Sequence, residues 1–112
     1  MTTPKPNQAV RGSSSGVAIM AVFDLLGRKW NMRILWELRS EPLSFRALQE
    51  RCDGMSPSVL NTRIKQLSEA QLVVTTTQGY QLTSFGLTLM ETLDPLRAWA
   101  KEWEAQLSHS QE

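Results

Sequence analysis

Between Met55 and Gln71 the chain reads MSPSVLNTRIKQLSEAQ, and its polar residues carry groups with a common chemistry. Ser56, Ser58, Asn61 and Thr62 offer hydroxyls and an amide, and Arg63 and Lys65 offer cations. Such groups hydrogen-bond the edges of bases and neutralise phosphates. At about 100° per residue, Leu60, Ile64 and Leu67 fall within roughly 60° of one another and form an apolar stripe. Ser58, Asn61, Thr62, Lys65 and Gln66 then face the other way, with Arg63 beside the stripe. Ser56 suits an N-cap and Pro57 the first helical position, which gives a helix over about residues 56–70. An α-helix fits the major groove of B-DNA, so this reads as a recognition helix. A face that simply meets water has the same composition, so the flanking elements must decide.

Before it, Ser44 caps a helix from Phe45 to about Cys52, and Asp53-Gly54 is a turn signal. Helix, short turn, helix with the polar face on the second helix is the order of a helix-turn-helix reader. Further upstream, Val17 to Leu26 is a first helix, apolar on nearly every side and stopped by Gly27. Its excess of apolar surface, including Met20 and Phe23, suggests a subunit interface. Gly27, Arg28 and Lys29 then lead into a helix over Trp30 to Ser40, with Trp30 expected to plug the core. Arg28, Lys29 and Arg33 are candidate phosphate clamps, each equally readable as a solvated charge. Pro42 ends that helix, and Leu43-Ser44 reads as a brief strand.

After the recognition helix, Leu72 to Thr77 is β-branched and extended, Gln78-Gly79 can turn and Tyr80 to Leu82 can return. The final helix starts at Thr83 or Ser84 and runs to about Ser108. Leu89, Leu93, Leu96, Ala100, Trp103 and Leu107 follow spacings of four and three along it, widened by Met90 and Trp99. A stripe of that kind seeks a partner helix, which makes Leu89, Leu93, Leu96, Trp99 and Trp103 candidate dimer contacts. Pro95 cannot bond to Glu91, so a kink or a new helix capped by Asp94 is expected there. The fold class is therefore mainly α with a small β-hairpin: a winged helix-turn-helix with a long C-terminal dimerisation helix.

The 112 residues suit one domain with a modest core. Residues 1–16 read as a disordered arm whose Lys5 and Arg11 could brush phosphates, residues 17–108 as the folded domain and residues 109–112 as a tail. Met1 to Gln66 holds ten basic and five acidic residues, a balance of +5; Leu67 to Glu112 holds two and six, a balance of −4. That asymmetry fits a phosphate-facing first half, and it would equally arise in a dipolar domain. Cys52 is the only cysteine, which excludes an internal disulfide and a cysteine-rich metal site. No apolar run is long enough to cross a bilayer, so a cytoplasmic protein with no membrane partner is expected. The single histidine, His109, sits in a polar stretch, and no nucleophile, metal-ligand spacing or phosphate loop is present. An enzyme is not expected, nor is any cofactor or metal.

Three stretches resemble the HxlR-type winged-helix transcriptional regulators of bacteria: LLGRKWNMRILWEL (Leu25 to Leu38), PLSFRALQERCDGMSPSVLNTRIKQLSEAQLV (Pro42 to Val73) and GYQLTSFG (Gly79 to Gly86). The resemblance spans roughly Val17 to Leu107. It implies a homodimer held by the first and last helices and bound to a two-fold-related site on double-stranded DNA. Carried over, the groove-facing candidates are Ser56, Ser58, Asn61, Thr62 and Lys65, supported by Arg63 and by Arg28 and Lys29. Some members sense oxidants through a cysteine just before the first helix; Val17 stands there, so thiol sensing is not expected. The wing, TTTQG (Thr75 to Gly79), is shorter than in many members. The alternative is a winged-helix interaction module that docks on protein without reading DNA. A small-molecule effector is left open, with Trp30, Trp36, Trp99 and Trp103 as candidate pocket walls.

Overall fold

Burial of apolar side chains from the middle helices and the hairpin explains how the elements assemble. The computed structural model describes residues 17–110; the expected N-terminal arm lies outside them, as do residues 111–112. Helix α1 (Ala18–Leu26) is followed by α2 (Asn31–Glu37), α3 (Phe45–Arg51) and α4 (Pro57–Glu69). The hairpin of β1 (Val73–Thr76) and β2 (Gly79–Leu82) comes next, then α5 (Ser84–Leu93) and α6 (Pro95–Ser110). Ile34 and Leu35 of α2, Leu48 of α3 and Leu60 and Leu67 of α4 are wholly buried and meet in one core with Cys52. Each such leucine removes apolar surface from water worth about 2 kcal/mol.

Side-chain caps fix where the helices begin. Ser44 Oγ accepts from Ala47 N at 3.1 Å, Ser56 Oγ from Val59 N at 3.2 Å and Thr83 Oγ1 from Gly86 N at 3.0 Å. At the other end of α4, Gln71 N donates to Ser68 O and Leu72 N to Leu67 O, with Gln71 left-handed at φ 63°. That pattern closes a helix and usually uses glycine at this position; glutamine here explains why the sequence shows no stop.

The brief strand expected at Leu43 is an isolated bridge to Tyr80, with Leu43 N donating to Tyr80 O at 3.0 Å and Tyr80 N to Leu43 O at 2.8 Å. The hairpin turn falls one residue earlier than expected. Thr76 pairs with Gly79, so Thr77 and Gln78 form the loop. The positive φ that closes it belongs to Gly79, at 116°, where a Cβ would lie 2.5 Å from Leu43 O.

Two other readings change. Helix α2 is shorter than Trp30 to Ser40, because Trp30 takes a left-handed conformation at φ 79° and stands before the helix. Its ring is half-buried against the core rather than plugging it, and Asn31 fills the interior, with Nδ2 donating to Leu25 O at 2.8 Å. The last helix is two helices that meet at Asp94, as Pro95 foretold, and α6 runs on through His109 to Ser110, taking up part of the expected tail. The Asp94 carboxylate lies 3.7 Å from the Arg97 guanidinium. No helix among the described residues is long and apolar enough to cross a membrane.

Candidate nucleic-acid interface

Helix α4 is held by its apolar stripe, with Leu60 and Leu67 wholly buried and Ile64 6% exposed. The turn that aims it is also fixed from behind. Asp53 and Gly54 are both left-handed, at φ 59° and 69°, and Gln49 Nε2 donates to Met55 O at 2.9 Å. Arg33 reaches across from α2: its NH2 group donates to Arg51 O at 2.6 Å, its NH1 group lies 3.6 Å from Asp53, and its Nε bonds Glu37 at 2.8 Å. The bond to Glu37 holds the Arg33 proton more tightly than usual. Arg33, readable from sequence equally as a phosphate clamp or a solvated charge, therefore fastens the helix-turn-helix together.

On the outward side Ser56, Ser58, Asn61, Thr62 and Lys65 are all exposed; the last four share one face of α4, and Ser56 is its N-cap. Their hydrogen-bonding capacity differs. Ser56 spends its oxygen on the cap to Val59 N, and Thr62 Oγ1 donates back to Ser58 O at 3.0 Å. The Thr62 hydroxyl proton is thus occupied, leaving its methyl group and a lone pair to meet a ligand. Asn61 and Lys65 make no such bond that would hold them against the helix, and both project from its middle. Val59, 37% exposed, stands about 100° round α4 from Ser58; an exposed aliphatic group is what contacts a thymine methyl, and its apolar type gives no polar signal in the sequence.

Two residues assigned outward in the sequence turn inward. Gln66 is 4% exposed and its Oε1 accepts from Arg63 NH1 at 3.1 Å, which leaves Arg63 half-buried at the edge of the stripe. Arg28 is no outward clamp: its side chain is 10% exposed and its guanidinium pairs with the buried Asp24 carboxylate at 3.2 Å, one helical turn back. Lys29 stays exposed beside the Trp30 ring. Both lie in the turn between α1 and α2.

Around this reader, apolar surface is left uncovered. Phe23 on α1 is 60% exposed, and on α6 Leu96, Trp99 and Trp103 are 51%, 55% and 53% exposed. Trp99 and Trp103 stack with ring centroids 5.7 Å apart. Met20, Leu89 and Leu93 are half-buried, Leu89 being already packed on the chain's own core. A cavity of about 620 Å³ lies between α1, α5 and the end of α4, walled by residues such as Ala21, Leu25, Leu72, Phe85 and Leu89. No tryptophan lines it, contrary to the pocket suggested by sequence, because Trp30 and Trp36 belong to α2 and its approach while Trp99 and Trp103 stand out on α6.

Cys52 is wholly buried behind the turn. Burial pushes its thiol up from the ordinary value, and the charge of Arg33 only partly offsets this. The thiolate is the reactive form, so the native protein should resist N-ethylmaleimide near neutral pH while the urea-unfolded chain labels fully. Rapid labelling of the native protein, followed by mass spectrometry, would show that this burial is not maintained.

Residues 25–108 match the model of the HxlR-like helix-turn-helix family. The chain is 26% identical over 89 residues to the uncharacterized HTH-type transcriptional regulator MJ0925 of Methanocaldococcus jannaschii, covering 76% of this chain and 84% of that one. Quinone-bound YodB from Bacillus subtilis superposes with a TM-score of 0.69 at 29% identity, over 75% of this chain and 94% of the other. A possible HxlR family transcriptional factor from Thermoplasma volcanium does so with a TM-score of 0.65 at 30% identity, over 75% and 82%. The chain belongs to the HxlR-like helix-turn-helix family of DNA-binding transcriptional regulators, which are not enzymes.

Proposed function

We propose that the protein is a homodimer, working in the cytoplasm, that binds a palindromic DNA site with one α4 in each of two successive major-groove faces. The observation that carries this reading is the division of α4 into a wholly buried leucine stripe and an exposed face of Ser58, Asn61, Thr62 and Lys65. The uncovered apolar row of α6, together with Phe23 and Met20 of α1, supports the second subunit. Ser56 contributes as the cap that places the helix, and Lys29 supplies a phosphate contact from the neighbouring turn. Arg63 and Arg28 act from behind, through Gln66 and Asp24.

The roles separate by kind of contact. Asn61→Ala and Thr62→Ala remove groups that read bases, so specific affinity should fall by about tenfold while nonspecific affinity is retained. Lys65→Ala should weaken both and reduce the salt slope of binding by about one. Fluorescence anisotropy on cognate and scrambled duplexes at several salt concentrations measures all three. Equal losses on both DNAs for Asn61→Ala would remove it from the base-reading set.

YodB has a solved structure with quinone bound. For this chain a small-molecule effector is a consistent extension, and the cavity between α1 and α5 has a size suited to a small ligand.

A further inference from the structure

Helix α6 has every residue exposed and follows α5 directly at Asp94. At the joint Pro95 has no amide to continue the α5 ladder, and the chain crosses it through Asp94 N to Glu91 O at 3.3 Å and Arg97 N to Asp94 O at 3.0 Å. Arg97 reaches back from α6 to α2, its guanidinium lying 5.1 Å from the Trp36 ring centroid. Arg39 stacks on the same ring at 3.5 Å and donates to Trp36 O at 2.7 Å. Asp94, at 3.7 Å, steadies Arg97 from the joint. Two cations engage one indole, and the electron-rich face of an indole attracts both.

We propose that Trp36, clasped by Arg39 and Arg97, fixes the setting of α6 against the winged-helix body and thereby determines the spacing of DNA half-sites that the dimer accepts. The part concerning DNA rests on the dimeric reading above. The lever is long enough. Sixteen residues of α6 extend about 24 Å. A rotation of about 10° at Asp94-Pro95 displaces a point 20 Å away by about 3.5 Å, close to one base-pair step of about 3.4 Å. Trp36, Arg39 and Arg97 are thus positioning residues that touch no DNA.

The clasp is tested in two ways. Spin labels on Lys65→Cys and Ala105→Cys, in protein diluted with unlabelled chain, report the distance from α4 to α6 within one chain; Cys52 is buried and stays unlabelled. The distribution is expected to be narrow in the parent and at least twice as broad with Arg97→Gln, a surface change that spares the core, and with Trp36→Leu. Unchanged distributions overturn the clasp, whether or not the protein dimerises. The second test uses duplexes whose half-sites are moved apart in single base-pair steps. The parent should lose about tenfold in affinity per step from its optimum, and the two variants less than threefold, with sedimentation showing equal dimerisation. A parent that binds no DNA defeats the functional reading and leaves the distance measurement to decide the clasp. A parent that binds, with variants that lose affinity equally at every spacing, defeats the spacing role alone.

Discussion

Gly86→Ala should lower the thermal unfolding midpoint by about 15 °C. A Cβ at position 86 would lie 2.3 Å from Leu72 O, with Leu82 Cβ at 3.1 Å and Leu72 C at 3.3 Å. The first neighbour is backbone and cannot rotate away. It belongs to the link between α4 and the wing, where Leu72 O also accepts from Thr83 N at 2.9 Å and Gln71 O from Thr83 Oγ1 at 2.6 Å. Forcing α5 off this seat costs about 3 kcal/mol, in the upper range for overpacking, and a domain of this size loses several degrees per kcal/mol. Gly54→Ala is the control. Its φ is +69° but nothing lies within 4 Å of the added carbon, so the cost is the left-handed penalty alone, about 1 kcal/mol. Calorimetry that finds the two variants equally stable would show that α5 does not approach Leu72 as closely as described.

Replacing Trp99 and Trp103 together by aspartate should leave the winged-helix body folded and abolish the dimer proposed above. Both indoles are more than half exposed and neither belongs to the buried core, so circular dichroism should be preserved. On the two-fold site, affinity should fall by about 10² to 10⁴, because linkage of two readers raises the effective concentration of the second. On a duplex with one half-site, the loss should be slight. Sedimentation supplies the independent readout, and a variant that still sediments as a dimer places the interface elsewhere, with Phe23 and Met20 of α1 next in line.

Periodicity and capping chemistry made much of this molecule legible. Leu60, Ile64 and Leu67 repeat at helical spacing, and Ser56-Pro57 marks the start of α4, so the helix and its buried side could be read directly. Pro95 announced the break between α5 and α6 because a missing amide is a property of the residue itself. The failures concern burial and the direction a side chain takes, which residue type and spacing leave open. Arg28 looks like an outward cation until Asp24, four residues back, turns it inward. Gln66 lies on the flank of the α4 wheel, where only its bond from Arg63 and the surrounding burial decide its direction. Trp30 takes a backbone conformation that a bulky residue seldom adopts, and no local signal announces it. The Gly79 to Gly86 motif could be recognised as a pattern, but its reasons, Leu43 O beside Gly79 and Leu72 O beside Gly86, come from segments distant in sequence. Among the candidate site residues, the exposed side of α4 was therefore readable, whereas Arg63 and Arg28 depend on which neighbours the fold buries and Arg33 on contacts with Arg51 and Asp53, distant in sequence.

Selection of bound duplexes from a random-sequence pool, using the full chain at moderate salt, bears most directly on a dimer that reads DNA through α4. The enriched sites should contain one motif repeated in inverted orientation, with half-site centres about 10 base pairs apart, and Asn61→Ala should relax the preference at a symmetric pair of positions. An unrepeated motif, or a pool that remains random after selection, would contradict it.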